Sequence, residues 1–426
     1  MRAPPGPREP TVSEITTLIA RARKAQAAID DYDQARTDEL VAAAGWAIVE
    51  PSRNRALAER AVADTGLGNV DDKIAKNRRK TIGLLRDLQG ARSAGIIAED
   101  RARGLIEIAR PLGVVAAITP STNPGATPAN NIINALKGRN AIVLAPSPKG
   151  AGTLSLLIGF VHAELDRVGA PRDLVQSLPA PVSREHTREL MRQADWVVAT
   201  GSQTNVKAAY SSGTPALGVG AGNVASIVDE TADVADAARK TATSKTFDNA
   251  TSCSSENSVI VVEENASRLL DAFATHGGVL LDASEKHALE RAMFADGKLL
   301  PEVIAQSAGA IAKRAGIDRA AGARFLIVDE TGVGGGFPFS GEKLSPVLTL
   351  YRASDFDAAV RRSEALLRHQ GAGHSVGLHS RDRDRATQLG LTLPVCRVIV
   401  NQVHCFATGG SFDNALPFSL SMGCGS

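Results

Sequence analysis

The apolar positions of the chain change period along its length, and those changes divide it. Ile15, Leu18, Ile19 and Ala22 repeat at helical spacing behind Thr11 and Glu14, which read as a capping box. Further helical stretches are expected near 38–49, 53–64 and 72–90. A Gly-containing break at 90–95 leads to two strand-like runs, 104–109 and 112–119, joined at Arg110 and Pro111.

Beyond 119, strands and helices alternate. Strand-like runs at 140–145, 174–178, 195–199 and 225–229 are separated by helical runs at 128–137, 150–168, 183–193 and 203–212. A second alternating unit begins near 232. Its strands are expected near 257–263, 324–328, 374–379 and 396–400, and its helices at 232–246, 266–276, 355–368 and 381–389. Continuous apolar strands, each followed by a helix, predict parallel sheets covered on both faces. The expected fold class is α/β, with two doubly wound domains and an active site in the cleft between them.

Composition narrows the function classes. With 43% hydrophobic and 22% charged residues the 426-residue chain has an ordinary globular balance, long enough for two domains. Aromatics are only 4%, so Ala, Val, Leu and Ile must fill the core. A net charge of +2 gives no field that would draw nucleic acid or a membrane surface. No apolar run approaches the ~18 residues of a membrane span. Residues 1–10 lack a signal-like apolar core and read as a disordered extension. Cys253, Cys396, Cys405 and Cys424 form no Cys-x-x-Cys pair, which points away from a disulfide framework and towards a reducing cytoplasm. No metal site is expected. Cys396 reads as strand core, Cys405 as a possible pocket residue, and Cys424 has no assignable role.

Cys253 follows a helix and precedes the strand Val259–Val262, among Thr251, Ser252, Ser254 and Ser255. Small polar neighbours let backbone and substrate approach a sulfur, and backbone N–H groups lower a thiol's pKa from ~8.5. Local chemistry alone leaves nucleophile and buried structural cysteine both open. Asn123, in the turn Thr119–Pro124 after a buried strand, can offer its side-chain amide to a developing oxyanion. Such a donor contributes ~3 kcal/mol to a transition state. A second strand-end turn, Ala199 to Asn205, opens a helix and exposes backbone N–H groups suited to a pyrophosphate.

Taken together these stretches resemble the aldehyde dehydrogenase superfamily, in its coenzyme A-acylating branch. The matching pieces are Pro111–Pro124, Ala199–Gly201, Lys207–Gly213, Pro215–Asn223, Lys245–Asn249 with Cys253, and Glu342–Val347, in family order from about 104 to the C-terminus. The first hundred residues match only in helical character.

The resemblance implies that Cys253 is the nucleophile and Asn123 the oxyanion amide. Thr119, Pro120, Ser147, Lys149, Gly201, Ser202 and Gly218 fall on cofactor-binding positions. Glu342 matches the carboxylate that holds the nicotinamide ribose; a surface salt bridge with Lys343 is its structural alternative. Hydrolytic members carry a water-activating glutamate where this chain has Gly218. Without that base a thiol remains the competent nucleophile towards a thioester, which favours an acyl-CoA product. His374 matches a Gly-His-Ser/Thr stretch of the acylating branch and is placed as a proton shuttle, with packing at a strand start as the alternative. The run Ala145–Lys149 lacks the acid that brackets the adenosine ribose in hydrolytic relatives. NADP is therefore allowed beside NAD, with coenzyme A as co-substrate.

The stretch from Val400 to Gly425 is most similar to branch members acting on sulfoacetaldehyde. That similarity places His404, Ser411 and Asn414 on the substrate side, and acetaldehyde, propanal or another short aldehyde is the alternative. The implied domains are a cofactor-binding domain over 11–92 and 120–224, an oligomerisation hairpin over 93–119, a catalytic domain over 225–402, and a substrate-site loop with a shortened tail over 403–426. A homodimer or homotetramer is implied. Relatives continue beyond the point where this chain ends at Ser426, so the 104–119 hairpin is expected to lack a partner strand. Two rivals remain at this level: a non-acylating or phosphorylating aldehyde dehydrogenase, and a catalytically silent structural subunit.

Overall fold

The computed structural model describes residues 12–421. The extension at 1–10, Thr11 of the expected capping box, and the tail with Cys424 lie outside them. The described residues divide into two compact units, 12–66, 73–219 and 417–421 in one and 67–72 and 220–416 in the other.

In chain order, the first unit holds α1 (Val12–Ala27), α2 (Gln34–Val49), α3 (Pro51–Thr65), most of α4 (Val70–Leu88), β1 (Gly95–Asp100), β2 (Leu105–Ala109), β3 (Val114–Thr119), α5 (Ala126–Lys137), β4 (Ala141–Pro146), α6 (Ala151–Arg167), β5 (Val175–Ser177), α7 (Arg184–Gln193), β6 (Trp196–Thr200), α8 (Gln203–Tyr210) and β7 (Ala216–Val219). Strands β5-β4-β3-β6-β7 form a parallel sheet. Every residue of β3 and β4 is buried, because helices cover both faces. Strand order reverses between β3 and β6, so the turns after these two strands flank the point where such sheets take ligands.

One expectation is corrected here. The runs 104–109 and 112–119 are not partners. The hairpin is β1 with β2, antiparallel, whereas β3 is the central strand of the parallel sheet. The difference is burial: β3 is covered on both faces, while β2 leaves Leu105, Ile106 and Ile108 exposed. The strand β1 escaped the sequence reading because its apolar pair Ile96 and Ile97 sits in a largely exposed segment.

The second unit holds β8 (Ala225–Val228), α9 (Val234–Thr246), β9 (Ser258–Val262), α10 (Glu263–Thr275), β10 (Gly278–Leu280), α11 (Ala283–Met293), the short pair β11 (Phe294–Ala295) and β12 (Lys298–Leu299), α12 (Ala308–Arg314), β13 (Phe325–Asp329), β14 (Val347–Ala353), α13 (Phe356–His369), β15 (Ser375–His379), α14 (Asp384–Thr392), β16 (Arg397–Val400) and α15 (His404–Ala407). Its parallel sheet has the order β10-β13-β14-β9-β8-β15-β16. Alternation along β9 sends Val259 and Val261 into one core with Phe273 and Phe325, and Ile260 into the opposite core with Tyr351 and Leu378. The run at 225–229 therefore belongs to this second sheet. Strands β10 and β14 had no clear counterpart in the sequence reading.

Cys396 is also corrected: it is exposed rather than core, because β16 is the edge strand. Among the described residues, no helix is long and apolar enough to cross a membrane, and no group of three or more His, Cys, Asp or Glu is placed to hold a metal ion.

Candidate active site

In the second unit, α9 begins at its Asp233 cap and ends in a turn, Phe247–Ala250. Asp248, Asn249 and Ala250 all take left-handed backbone angles, φ 50°, 50° and 57°. Such angles cost non-glycine residues roughly 1–2 kcal/mol each, so the surroundings must hold them. They do. Asp248 accepts from the Asn69 N–H at 3.0 Å and the Thr251 hydroxyl at 2.7 Å, its own N–H donates to Asp72 at 2.7 Å, and the Asn249 amide donates to the Ala305 carbonyl at 3.0 Å. This braced turn delivers Cys253 to a partly exposed position, while Ser254 to Ser258 are buried behind it.

The residues after the sulfur are fastened individually. Ser255 donates to the Ser244 carbonyl at 3.1 Å, and the N–H groups of Asn257 and Ser258 donate to Val224. His404 Nδ1 lies 2.8 Å from the Ser254 carbonyl oxygen. A carbonyl only accepts, so Nδ1 carries the proton and His404 clamps the peptide beside Cys253.

Gly222 packs into the same place. A methyl group there would lie 2.2 Å from the Cys253 carbonyl oxygen and 3.2 Å from His374 Nε2, so Cys253 and His374 converge on one glycine. His374 is fully buried. Its Nδ1 is 2.8 Å from the Ser375 hydroxyl, and among the described residues its Nε2 has no hydrogen-bond partner. Burial, reinforced by His404 and Arg397, pushes its pKa down to about 3, so the ring is neutral at physiological pH. It can accept or relay a proton but not store one.

Glu342 accepts from the Gly222 N–H at 3.1 Å, and the Glu342 N–H donates to the Gln370 side chain at 2.9 Å. Burial pushes its carboxyl up to about 8, against the pull of Gly222, Lys245 and Lys343. Lys343 Nζ donates instead to the Phe339 and Gly341 carbonyls, at 2.7 and 3.2 Å, which leaves no Glu342–Lys343 salt bridge, and burial holds its pKa well below the ordinary lysine value.

Two buried charges near the nucleophile were missed by sequence reasoning. Lys245 ends α9 and Glu256 stands three residues after Cys253, both fully buried. Burial pushes Lys245 down to about 7 and Glu256 up to about 7, each partly offset by the other. Lys245 stood in the family-like run Lys245–Asn249 with no role of its own and Glu256 beside an apolar strand, and neither pattern distinguishes a surface position from a buried one.

The loop after β16 is held by its own polar groups. The Asn414 amide donates to the Gln402 side chain at 3.0 Å and the Ala407 carbonyl at 3.3 Å, and its oxygen accepts from the Ser411 and Leu416 N–H groups. The Ser411 hydroxyl donates to Asp413 at 3.2 Å. Asn414 and Ser411 thus shape this loop. Cys405 is buried, its N–H donating to the Ser244 hydroxyl at 3.0 Å. Cys396 donates its thiol to the His374 carbonyl at 2.8 Å.

In the first unit, Thr119 ends β3 and the turn after it carries Pro120 and Asn123. The Asn123 side-chain oxygen accepts from Lys76 Nζ at 2.8 Å. Ser147 follows β4; its N–H donates to the Thr119 carbonyl, and its buried hydroxyl oxygen has no hydrogen-bond partner among the described residues. Lys149 is exposed in the next turn. After β6, Gly201 takes φ 138°, an angle that favours glycine, and Ser202 caps α8 through the Asn205 N–H. An open glycine turn, a helix N-terminus and a partnerless hydroxyl at neighbouring strand ends fit the phosphates of a dinucleotide.

Gly218, on β7, donates its N–H to the Tyr210 hydroxyl at 2.9 Å. A methyl group there would lie 2.6 Å from Val206 Cγ1 and 2.8 Å from Tyr210 Cε2. The position has no carboxylate, and a larger side chain there would have to displace Val206 and Tyr210.

The aldehyde dehydrogenase family model matches residues 7–280. The chain is 64% identical over 424 residues to a Cupriavidus necator protein named sulfoacetaldehyde dehydrogenase (acylating), covering 99% of this chain and 86% of that protein. It superposes with a TM-score of 0.93, at 35% identity, on an acetylating aldehyde dehydrogenase from Geobacillus thermoglucosidasius, covering 97% of this chain and 91% of that one. A Rhodopseudomonas palustris propionaldehyde dehydrogenase with bound propionyl-CoA gives a TM-score of 0.86 at 25% identity, covering 97% and 91%.

Proposed function

Because the chain belongs to the aldehyde dehydrogenase family, in its coenzyme A-acylating branch, we propose that it oxidises sulfoacetaldehyde to sulfoacetyl-CoA through a thioester on Cys253. Two observations carry this reading: Cys253 is partly exposed, and position 218 holds a glycine, where any side chain would have to displace Val206 and Tyr210. The Cys253 thiolate adds to the aldehyde carbon, and the Asn123 amide donates to the resulting oxyanion. A bound nicotinamide would supply the acceptor for the hydride lost as the oxyanion collapses. A thioester remains on Cys253. The coenzyme A thiol, losing its proton, attacks that carbonyl and expels the Cys253 sulfur. Neutral His374, with its free Nε2, is the group we assign to accept or relay that proton.

Glu342 is our candidate for the nicotinamide ribose, and Thr119, Pro120, Ser147, Gly201 and Ser202 for the remainder of the dinucleotide. Either NAD or NADP fits this reading, since Lys149 rather than an acid stands exposed after β4. The substrate assignment is supported by the name of the 64%-identical relative. His404 and Ser411 enter it as residues that hold the nucleophile turn and the substrate-side loop in shape. We also propose a homo-oligomer docked through the β1–β2 hairpin, whose Ile96, Leu105, Ile106 and Ile108 are exposed.

The test is coenzyme A-dependent cofactor reduction, followed by absorbance, with sulfoacetaldehyde, acetaldehyde and propanal and each of NAD and NADP. A higher kcat/KM for sulfoacetaldehyde and an acyl-CoA product are expected. Equal specificity constants would reject the sulfonate substrate. Free acid formed without coenzyme A would reject acylation, and full turnover by Cys253→Ser would reject the thioester.

A further inference from the structure

An amide has two unlike ends, and only its NH2 can stabilise an oxyanion. Something must therefore decide which end of Asn123 is presented. In this structure Lys76 Nζ sits 2.8 Å from Asn123 Oδ1. An ammonium donates and cannot accept, so it selects the oxygen and turns the NH2 the other way. The Asn123 NH2 makes no hydrogen bond among the described residues, and Asn123 is partly exposed.

The lysine is itself held. Lys76 is buried on α4, 8% exposed. The neighbouring Asn77 amide donates to Asn54 Oδ1 at 3.0 Å, and the Asn54 amide donates to the Ile74 carbonyl at 3.0 Å, which ties this stretch of α4 to α3. A methyl group on Gly125, two residues after Asn123, would be in ordinary contact with Asn77 Oδ1 at 3.5 Å, so α4 packs directly on the Asn123 turn. The cavity lined by Lys73, Lys76, Asn77 and Asn123 measures only 10 Å³, about the room of one water, too small for Lys76 to serve there as a ligand-binding cation.

We infer that Lys76 is a positioning residue, which fixes the Asn123 carboxamide with its NH2 outward and polarises it for oxyanion stabilisation. This rests on the reading of Asn123 given above. The step it assists is addition of the Cys253 sulfur to the aldehyde carbon, where the C=O π pair becomes the oxyanion. Lys76 exchanges no proton in that step.

The test is a double-mutant cycle on the full chain with Lys76→Met, Asn123→Ala and the pair, read in kcat, KM and the rate of Cys253 alkylation by iodoacetamide. Loss of one oxyanion donor costs roughly 10²–10³ in kcat, so Asn123→Ala should fall in that range. Lys76→Met should lose about tenfold or more in kcat with KM within threefold. It should lose nothing further in the Asn123→Ala background. Alkylation, which forms no oxyanion, should keep the parental rate in every variant, and Lys76→Arg should recover part of the loss.

Equal losses in both backgrounds, slowed alkylation, or an unchanged kcat in Lys76→Met would overturn the inference while leaving the Asn123 reading in place. An unchanged kcat in Asn123→Ala would instead remove that reading, and the role of Lys76 with it. If Lys76→Met does not fold, as judged by thermal melting, Lys76→Gln takes its place in the cycle with the same expectations.

Discussion

Gly222 lies against the backbone of Cys253: a single added methyl group would stand 2.2 Å from the Cys253 carbonyl oxygen. The nucleophile turn therefore has its outer limit set by a glycine. A displacement of about 1 Å at a reacting group can cost ~10²-fold in rate. Gly222→Ala should lower kcat by about that factor and slow iodoacetamide alkylation of Cys253. Parental alkylation kinetics in this variant would show that the turn accommodates the methyl.

The clamp from His404 to the Ser254 carbonyl makes a prediction that separates its two ring nitrogens. Asparagine places an N–H near the Nδ1 position, glutamine near Nε2. His404→Asn should keep the alkylation rate of Cys253 close to parental. His404→Ala and His404→Gln should slow it and lower Tm, with stability reduced by the ~1–3 kcal/mol of a buried acceptor left unpaired. Equal behaviour of the asparagine and glutamine variants would count against the clamp.

Restoring the acid of hydrolytic relatives should fail here. Gly218→Glu must push Val206 and Tyr210 aside, and overpacking of this kind costs ~1–3 kcal/mol. We expect a lower Tm and no new coenzyme A-independent acid release, both accessible by melting and product chromatography. Efficient hydrolysis by this variant would mean that Tyr210 yields readily.

Glu342 gives a pH signature. Burial raises its carboxyl to about 8, so it holds a proton below that pH and gains its charge above it. If the charged form grips the nicotinamide ribose, cofactor affinity should rise as pH increases through about 8. The rise should vanish in Glu342→Gln. Fluorescence titration with the reduced cofactor from pH 6.5 to 9 provides the check, and parallel profiles for parent and variant would exclude Glu342 from that role.

His379, buried at the end of β15, is held at about 4, chiefly by desolvation and then by Lys240, with Asp236 opposing. The unfolded chain takes up a proton near 6.5 that the folded chain refuses. Its contribution to stability is thus fully present above about 6.5 and is lost as pH falls towards 4. The slope is about 1.4 kcal/mol per pH unit for one such group. The stability difference between parent and His379→Gln should grow from pH 4 to 6.5 and level off above, as read by denaturant unfolding at each pH. A flat difference across that window would show that the ring titrates alike in the folded and unfolded chain.

What the sequence determined by itself was local in origin. Apolar runs separated by helical periods announced two parallel α/β sheets, since burial on both faces requires continuous apolar strands. Small polar residues around Cys253 and the strand-end turns at Asn123 and Gly201 were legible as candidate sites, because turn chemistry is written in adjacent residues. The mispaired hairpin shows the limit: 112–119 reads as a strand from its own residues, but its partners β4 and β6 lie elsewhere in the chain.

Tertiary structure alone decided which side chains serve that chemistry. Lys76 reaches Asn123 across 47 positions, and His404 reaches Ser254 across 150. Lys245 and Glu256 look like surface charges until burial brings both towards neutrality. Contacts of that range leave no periodic trace, because they depend on where whole elements pack and not on what precedes or follows a residue.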